Sequence, residues 1–363
     1  MRSASPPDCV VSRPLRPHLR RAGSPAMTPL RNTLKMPDYF VFGGCLRSEL
    51  TFPELTHAHG RAPNWMLRMG TLSRDGDAEV LSDAALSQTC RIRLTRGDGW
   101  FRYSHSCTGS FEVFAEGRRI LFEPAAHGDL DGARTDFVSR VLPYCVDHAS
   151  ITWLHGSAVR IAAGAAAFLG PSGSGKSTIA LALTRGGAEH LCDDTLPVEA
   201  GEKPVIWPGD DIIRLCSDSR TRLASSARAI RRESDGKFVM TRHEVGSAKS
   251  SSASNAPDQS RCPLNAIYIL NPAESPQTGA SVSRRLVPPT AAIPVLMQHL
   301  KLGPVMRRED PALLMKQLDA IVQSVPVYEL TVSRDWSVVD EVVERVIAWH
   351  SHTGVAESQI ASA

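Results

Sequence analysis

The chain has no Cys-x-x-Cys pair, no long apolar run and little net charge, and each shortage argues against a class of protein. Its eight cysteines (Cys9, Cys45, Cys90, Cys107, Cys145, Cys192, Cys216 and Cys262) are scattered through 363 residues. The scatter excludes zinc-ribbon spacing and, at this length, argues against a disulfide framework. Buried free thiols in a reducing cytosol are the expectation. The apolar run "IAAGAAAFLG", ending at Gly170, is about half the ~20 residues that span a bilayer. No apolar stretch follows the N-terminal arginines, so no secretory signal is read. Lys and Arg total 41 against 38 Asp and Glu, a formal charge of +3. So small an excess points to neither nucleic acid nor a membrane as a partner. A cytoplasmic protein is expected.

What is present suits a globular chain: hydrophobic residues are 42% and charged residues 22%, and the length allows two modest domains or one domain with a smaller lobe. Residues 1–36 are rich in Pro, Arg and Ser without apolar periodicity, and are read as a disordered tail or an over-long start, with Met27 and Met36 as alternative initiators. Residues 37–130 are read as a small β-rich N-terminal lobe, because "DYFVFGG", "WMLRMG", "CRIRLTRGDGWFRYS" and "GSFEVFAEGRRILFEP" are strand-like runs between turn signals. Apolar residues on either side of Glu116-Gly117 predict a hairpin there. The near-helical spacing of "ARTDFVSRVLPYCVDHA" predicts a helix bridging the two lobes.

Residues 131–352 are read as the catalytic domain and 353–363 as a flexible tail. "ITWLHGSAVRI" and "GAAAFLG" read as strands, and "GKSTIALALTRGG" reads as a helix stopped at Gly186-Gly187. "HLCDD" is a short strand end, and "PVIWPGDDIIRLC" and "PLNAIYILN" supply further strands. Residues 243–261 have the composition of a mobile loop. "LVPPTAAIPVLMQHLK" and "PALLMKQLDAIVQSV" carry helical patterns, followed by strand "VYELTVS" and helix "SVVDEVVERVIAWH".

Gly170–Ser177, "GPSGSGKS", fits G-x-x-x-x-G-K-[ST] between a hydrophobic strand and an amphipathic helix, the context this motif requires. Gly173 and Gly175 have no Cβ, so the loop can turn its N–H groups inward around phosphate. The helix beginning near Lys176 adds the positive end of its dipole. Lys176 supplies a point charge between β- and γ-phosphates, and the Ser177 hydroxyl suits Mg²⁺. Gly170, Ser172, Gly173, Ser174, Gly175, Lys176, Ser177 and Thr178 are therefore the expected ATP contacts.

The loop alone does not select a reaction. Transfer to an alcohol needs an orienting carboxylate near the γ-phosphate, and the nearest candidates are Asp193 and Asp194 at a strand end. Adjacent strand residues face opposite ways, so one carboxylate can face the loop and Mg²⁺ while the other reaches an acceptor. The same pair equally suits a cap or turn. His155, one strand before the loop, is either structural or in contact with phosphate. Arg214, Lys237 and Arg284-Arg285 are further basic residues that could complete the site or simply be surface charges.

Together "LHGSAVRI", "AAAFLGPSGSGKSTIALAL", "RGG" and "CDD" resemble the catalytic domain of HPr kinase/phosphorylase. The resemblance implies an α/β fold with a P-loop kinase domain akin to phosphoenolpyruvate carboxykinase. Carried over, His155 is an active-site histidine, Lys176 the loop lysine and Ser177 a magnesium ligand. Asp194 becomes the proton acceptor from a substrate serine, and Asp193 supports the metal or the loop. Thr178 stands where the bifunctional enzymes have Glu, and the N-terminal lobe differs from theirs. Both departures bring the chain nearer to stand-alone HPr-kinase-like proteins, some of which phosphorylate precursors of ribosomal peptides such as lasso peptides.

The expected function is ATP-dependent phosphorylation of a serine on a peptide or small protein, with Mg²⁺ and ATP as cofactors. A homo-oligomer is left open. The alternatives are kinase action on the HPr carrier protein in sugar regulation, and a regulatory nucleotide-binding protein without turnover. A transport ATPase would need "LSGGQ" and an apolar strand ending Asp-Glu, and a GTPase would need N-K-x-D. Neither set is found.

Overall fold

The computed structural model describes residues 36–73, 78–114, 116–146, 151–227, 229–231, 236–241, 260–273, 281–301 and 310–351. The segment 1–35, most of 243–261 and the tail 353–363 lie outside the described residues.

Nine strands between Asp38 and Pro124 form one sheet. Glu79–Ala85, Arg91–Gly97, Trp100–His105, Gly109–Phe114 and Arg119–Pro124 make an antiparallel meander. Trp65–Met69 then runs parallel to Arg119–Pro124 on one side and to Gly44–Ser48 on the other. The "DYFVFGG" run turns tightly at Phe42 and Gly43, both at positive φ (48° and 80°), as a two-residue turn between paired Val41 and Gly44 requires. The Phe42 ring meets Trp153 edge-on at 5.0 Å. One buried cluster runs from Tyr39 through Phe111 and Phe137 to Trp153 and Val327, so this sheet shares its core with the rest of the chain.

The expected bridging helix is present, with a local change of winding. Asp129 caps Leu130–Asp136 by accepting from the Asp131 N–H, and the chain continues as a π-helical segment Phe137–Val141 and a final turn Leu142–Cys145.

In the second sheet Gly164–Leu169 lies between antiparallel Gly156–Ile161 and parallel Cys262–Ala273, which is parallel in turn to Val327–Ser333. The Gly170–Ser177 loop leaves the carboxyl end of that central strand, where mixed α/β sheets hold their ligands. The helix after the loop, Lys176–Arg185, is clamped on two sides. Ile179, Ala180 and Leu183 pack with Phe168 and Tyr268, while Leu181 packs with Ile213, Leu215 and Met240. Leu181 and Leu183 are fully buried, each contributing about 1.5–3 kcal/mol, and that packing fixes the loop's distal end.

Two expectations are corrected, and one further element is found. The run beginning "LVPPTAAIP" is not helical at its start: Val282–Val287 is a strand paired with Val327–Ser333, and the helix begins at Pro289, where proline suits the first turn. The stretch after "IIRLC" holds an additional helix, Ser217–Leu223, and Ile212–Leu215 joins a separate three-stranded sheet. The cysteines are not all buried free thiols. Cys90 and Cys107 form a disulfide with Cα atoms 6.0 Å apart, and Cys216 is exposed. The antiparallel register that pairs Ile92 with His105 brings the two flanking cysteines together, which scattered positions in the sequence do not reveal. No helix among the described residues is long and apolar enough to cross a membrane.

Candidate functional site

Gly170, Gly173 and Gly175 take φ of 152°, 80° and 100°. At Gly173 and Gly175 an added Cβ would meet nothing within 4 Å, so what requires glycine there is the left-handed backbone itself. Gly175 is the N-cap of the loop helix without a side-chain cap, which leaves first-turn N–H groups free to point at an anion. Lys176 is only 7% exposed, and its Nζ donates to the carbonyls of Gly170 (2.8 Å) and Pro171 (2.9 Å). Burial, followed by the nearby Lys237 charge, pulls its pKa below the ordinary lysine value, with Asp193 and Asp194 opposing.

A cavity of about 300 Å³ opens over this loop, walled by Gly173–Ile179, His155, Asp193, Asp194, Arg214, Lys237 and the segment Ser333–Trp336. The loop residues from Gly173 to Thr178 are thus brought together with the histidine and both aspartates. Gly170 and Ser172 are not part of the wall. Thr178 Oγ1 lies 2.8 Å from Ser219 Oγ. Arg284 and Arg285 stand elsewhere: Arg284 packs over the Tyr328 and Trp349 rings, and Arg285 pairs with Glu329 at the surface.

Asp193 and Asp194 follow the strand Glu189–Cys192 and have different partners. Asp193 is buried and faces the loop. Its Oδ1 accepts from Ser177 Oγ (2.7 Å) and Ser157 Oγ (2.6 Å), and its Oδ2 accepts from the Arg214 N–H (2.8 Å). A Ser177 hydroxyl that donates to Asp193 keeps its lone pairs for a cation, and Mg²⁺ commonly takes one or two protein oxygens with phosphate and water completing its shell. The Ser177–Asp193 donor set fits that ion. Arg214 lines the cavity, but its guanidinium is engaged by the Asp193 carbonyl (3.0 Å) and Asp210 (3.2 Å). Burial pushes Asp210 up to about 6 against the opposing Arg214 charge.

Asp194 faces the other way and sits at φ 69°, a left-handed conformation that Asp tolerates better than most residues. His155 Nδ1 is 3.2 Å from its carbonyl and 3.3 Å from Oδ1. Both neighbours are acceptors, so Nδ1 carries the proton and Nε2 presents a lone pair in the neutral ring. Lys301 completes the cluster, donating to the Asp194 carboxylate, to its carbonyl (2.9 Å) and to Thr195 Oγ1 (2.5 Å). Burial alone would raise the Asp194 pKa. The Lys301 ammonium, the His155 hydrogen bond and Arg214 outweigh it and hold the carboxyl well below the usual range.

Lys301 was not among the residues singled out from sequence. It follows a helix as the tail of "QHLK", and the backbone bonds from the Lys301 N–H to the Trp153 carbonyl (2.9 Å) and from the His155 N–H to the His299 carbonyl (2.7 Å) bring it beside His155. Trp336, also unforeseen, forms the far wall and donates to Asp218 at 2.6 Å.

The sequence matches no protein-family model, and a search of curated proteins returns no relative. Among solved structures, the HPr(Ser) kinase/phosphatase from Coxiella burnetii aligns over 56% of this chain and 99% of its own, at 12% identity and a TM-score of 0.31. At that TM-score the two backbones share too little for their functions to be compared.

Proposed function

We propose that the protein is an ATP-dependent kinase that transfers the γ-phosphoryl group to a serine hydroxyl of a peptide or small protein. One observation carries the reading: Asp193 and Asp194 are neighbours in sequence, one bonded to Ser177 of the loop and the other bordering the same cavity beside His155 and Lys301. A carboxylate for the nucleotide side and one for the acceptor side is the minimum set for phosphoryl transfer to an alcohol. The motif resemblance to HPr kinase/phosphorylase, and through it to a phosphoenolpyruvate-carboxykinase-like P-loop domain, supports the same reading.

In this proposal the loop amides and Lys176 hold the β- and γ-phosphates, Lys176 exchanging its bonds to the Gly170 and Pro171 carbonyls for phosphate oxygens. Mg²⁺ on Ser177, with Asp193 behind it, would neutralise phosphate charge. The acceptor oxygen bonds to Pγ as the bond from Pγ to the β,γ-bridging oxygen breaks. ADP departs with that electron pair, and the hydroxyl proton passes to Asp194 and then to solvent. A carboxylate held so firmly ionised is a weak base. In a loose transition state the proton moves late, so Asp194 acts chiefly by orienting the hydroxyl.

The test is transfer of label from γ-labelled Mg-ATP by the full chain to serine-containing peptides and small proteins encoded beside its gene. Asp194→Asn is expected to lower transfer by at least about 100-fold while ADP affinity changes less than about threefold. Transfer by Asp194→Asn at the wild-type rate overturns the role of Asp194. Failure of the wild type to bind ADP overturns the nucleotide site.

A further inference from the structure

A second cavity, of about 400 Å³, also borders Asp194, and among the described residues it shares His155 and Asp194 with the cavity over the loop. Its walls come from different elements. Ile92 and Leu94 alternate along the strand Arg91–Gly97, and Tyr103 pairs directly with Leu94 on the next strand, so all three present the same sheet face. Tyr144 closes the wall from the bridging helical segment, its ring stacked on Phe101 at 4.3 Å.

Among the described residues, one cation beside this apolar wall has capacity left. Lys301 also lines the cavity, but its three donors go to Asp194 and Thr195. Arg140 directs Nε toward Asp136 (3.7 Å) and Nη1 toward the Tyr103 hydroxyl (3.3 Å). Its Nη2 has no partner among the described residues, and the residue is half-buried in the cavity wall. A guanidinium held in place and partly desolvated selects a carboxylate.

From this geometry we infer that the second cavity is the acceptor site, and that it takes a polypeptide segment in which the serine is flanked by a bulky apolar or aromatic residue and by an acidic residue. The inference rests on the kinase reading and deepens it. Donor and acceptor enter from the two cavities and meet at Asp194: the apolar side chain fills the space between Leu94 and the tyrosines, the acidic side chain pairs with Arg140, and the serine hydroxyl reaches the carboxylate. Charge complementarity and continuity with the nucleotide cavity favour this occupant. A cavity of this size accommodates a side chain with its adjoining backbone and no larger folded surface.

The experiment is a positional-scanning peptide library with a fixed central serine, incubated with the full chain and γ-labelled Mg-ATP, and with ADP affinity measured in parallel. The wild type is expected to select aliphatic or aromatic residues and Asp or Glu at defined positions around the serine. Leu94→Trp, which fills the cavity, is expected to reduce labelling by about tenfold or more with ADP affinity within about threefold of wild type, and that retained affinity shows the variant is folded. Arg140→Gln is expected to remove the acidic preference while keeping the apolar one. The proposal is overturned if both variants keep the wild-type profile and rate, or if ADP binds and no peptide is labelled. If the wild type does not bind ADP, the kinase reading itself falls.

Discussion

Lys301 stands 107 positions after Asp194 and donates both to its carboxylate and to its backbone carbonyl. One ammonium thus holds the carboxyl ionised and the left-handed backbone at Asp194 in place. Lys301→Met is expected to cost about 3–5 kcal/mol of stability, the usual range for stripping one partner from a buried ion pair. The folded pKa of Asp194 is depressed, so its contribution is present above the ordinary carboxylate value of 3.8 and is lost only as pH falls through a lower one. In Lys301→Met that loss moves to higher pH, which acid unfolding followed by circular dichroism measures. The acid limb of the transfer rate moves the same way, and Lys301→Arg restores part of both.

The Ser177–Asp193 hydrogen bond predicts how nucleotide affinity depends on magnesium. Ser177→Ala is expected to abolish most of the difference between Mg-ADP and metal-free ADP binding in calorimetric titration, with metal-free affinity little changed. Lys176→Ala should weaken both forms by about 10- to 100-fold, the range of one or two charge-assisted hydrogen bonds. Equal losses with and without metal in Ser177→Ala would remove Ser177 from the metal site.

Gly175 and Gly187 have nearly the same φ, 100° and 104°, and neither has an atom within 4 Å of an added Cβ. Alanine at either position therefore costs about 1–2 kcal/mol of backbone energy, and thermal melts should show similar losses. Gly175→Ala should also weaken ADP binding by tenfold or more, because it redirects the loop amides. Gly187→Ala, beyond the far end of the loop helix, should leave ADP affinity unchanged.

Glu54 is buried with Arg134 Nε 3.7 Å away, and burial pushes its pKa from 4.5 up to about 7, with Arg134 only partly opposing. A raised folded pKa means this group costs nothing below pH 4.5 and lowers stability progressively as pH rises toward 7. Glu54→Gln is expected to flatten that decline and to be more stable than wild type at pH 8 by about 2–3 kcal/mol. Urea melts at pH 5 and pH 8 check this, and an unchanged difference between the two proteins would refute it.

The phosphate-type loop was legible because its requirements are local. Two glycines at left-handed φ, an apolar strand before and a helix after are all properties of one contiguous stretch. The adjacency of Asp193 and Asp194 was legible too, but their separate partners were not, because both lie beyond the strand Glu189–Cys192 and Asp194 turns at a left-handed φ of 69°. The hairpin around Glu116-Gly117 followed from short-range alternation, whereas the run from Cys90 to Ser104, read as one strand-like stretch, is two paired strands turning at Asp98-Gly99.

What sequence left open depends on register and on long-range closure. The Cys90–Cys107 bond follows from how two strands pair. Leu286 and Val287 read as the start of a helix until Val327–Ser333 offers the strand Val282–Val287 an edge, because β pairing overrides a weak local preference. By itself the sequence determined a glycine-rich loop between a strand and a helix, and a pair of adjacent carboxylates after it, since each is a contiguous stretch of a few residues. Only the tertiary structure decided that Lys301 fixes one of those carboxylates and that a second cavity borders it. Those contacts join segments more than a hundred residues apart, and no local pattern encodes them.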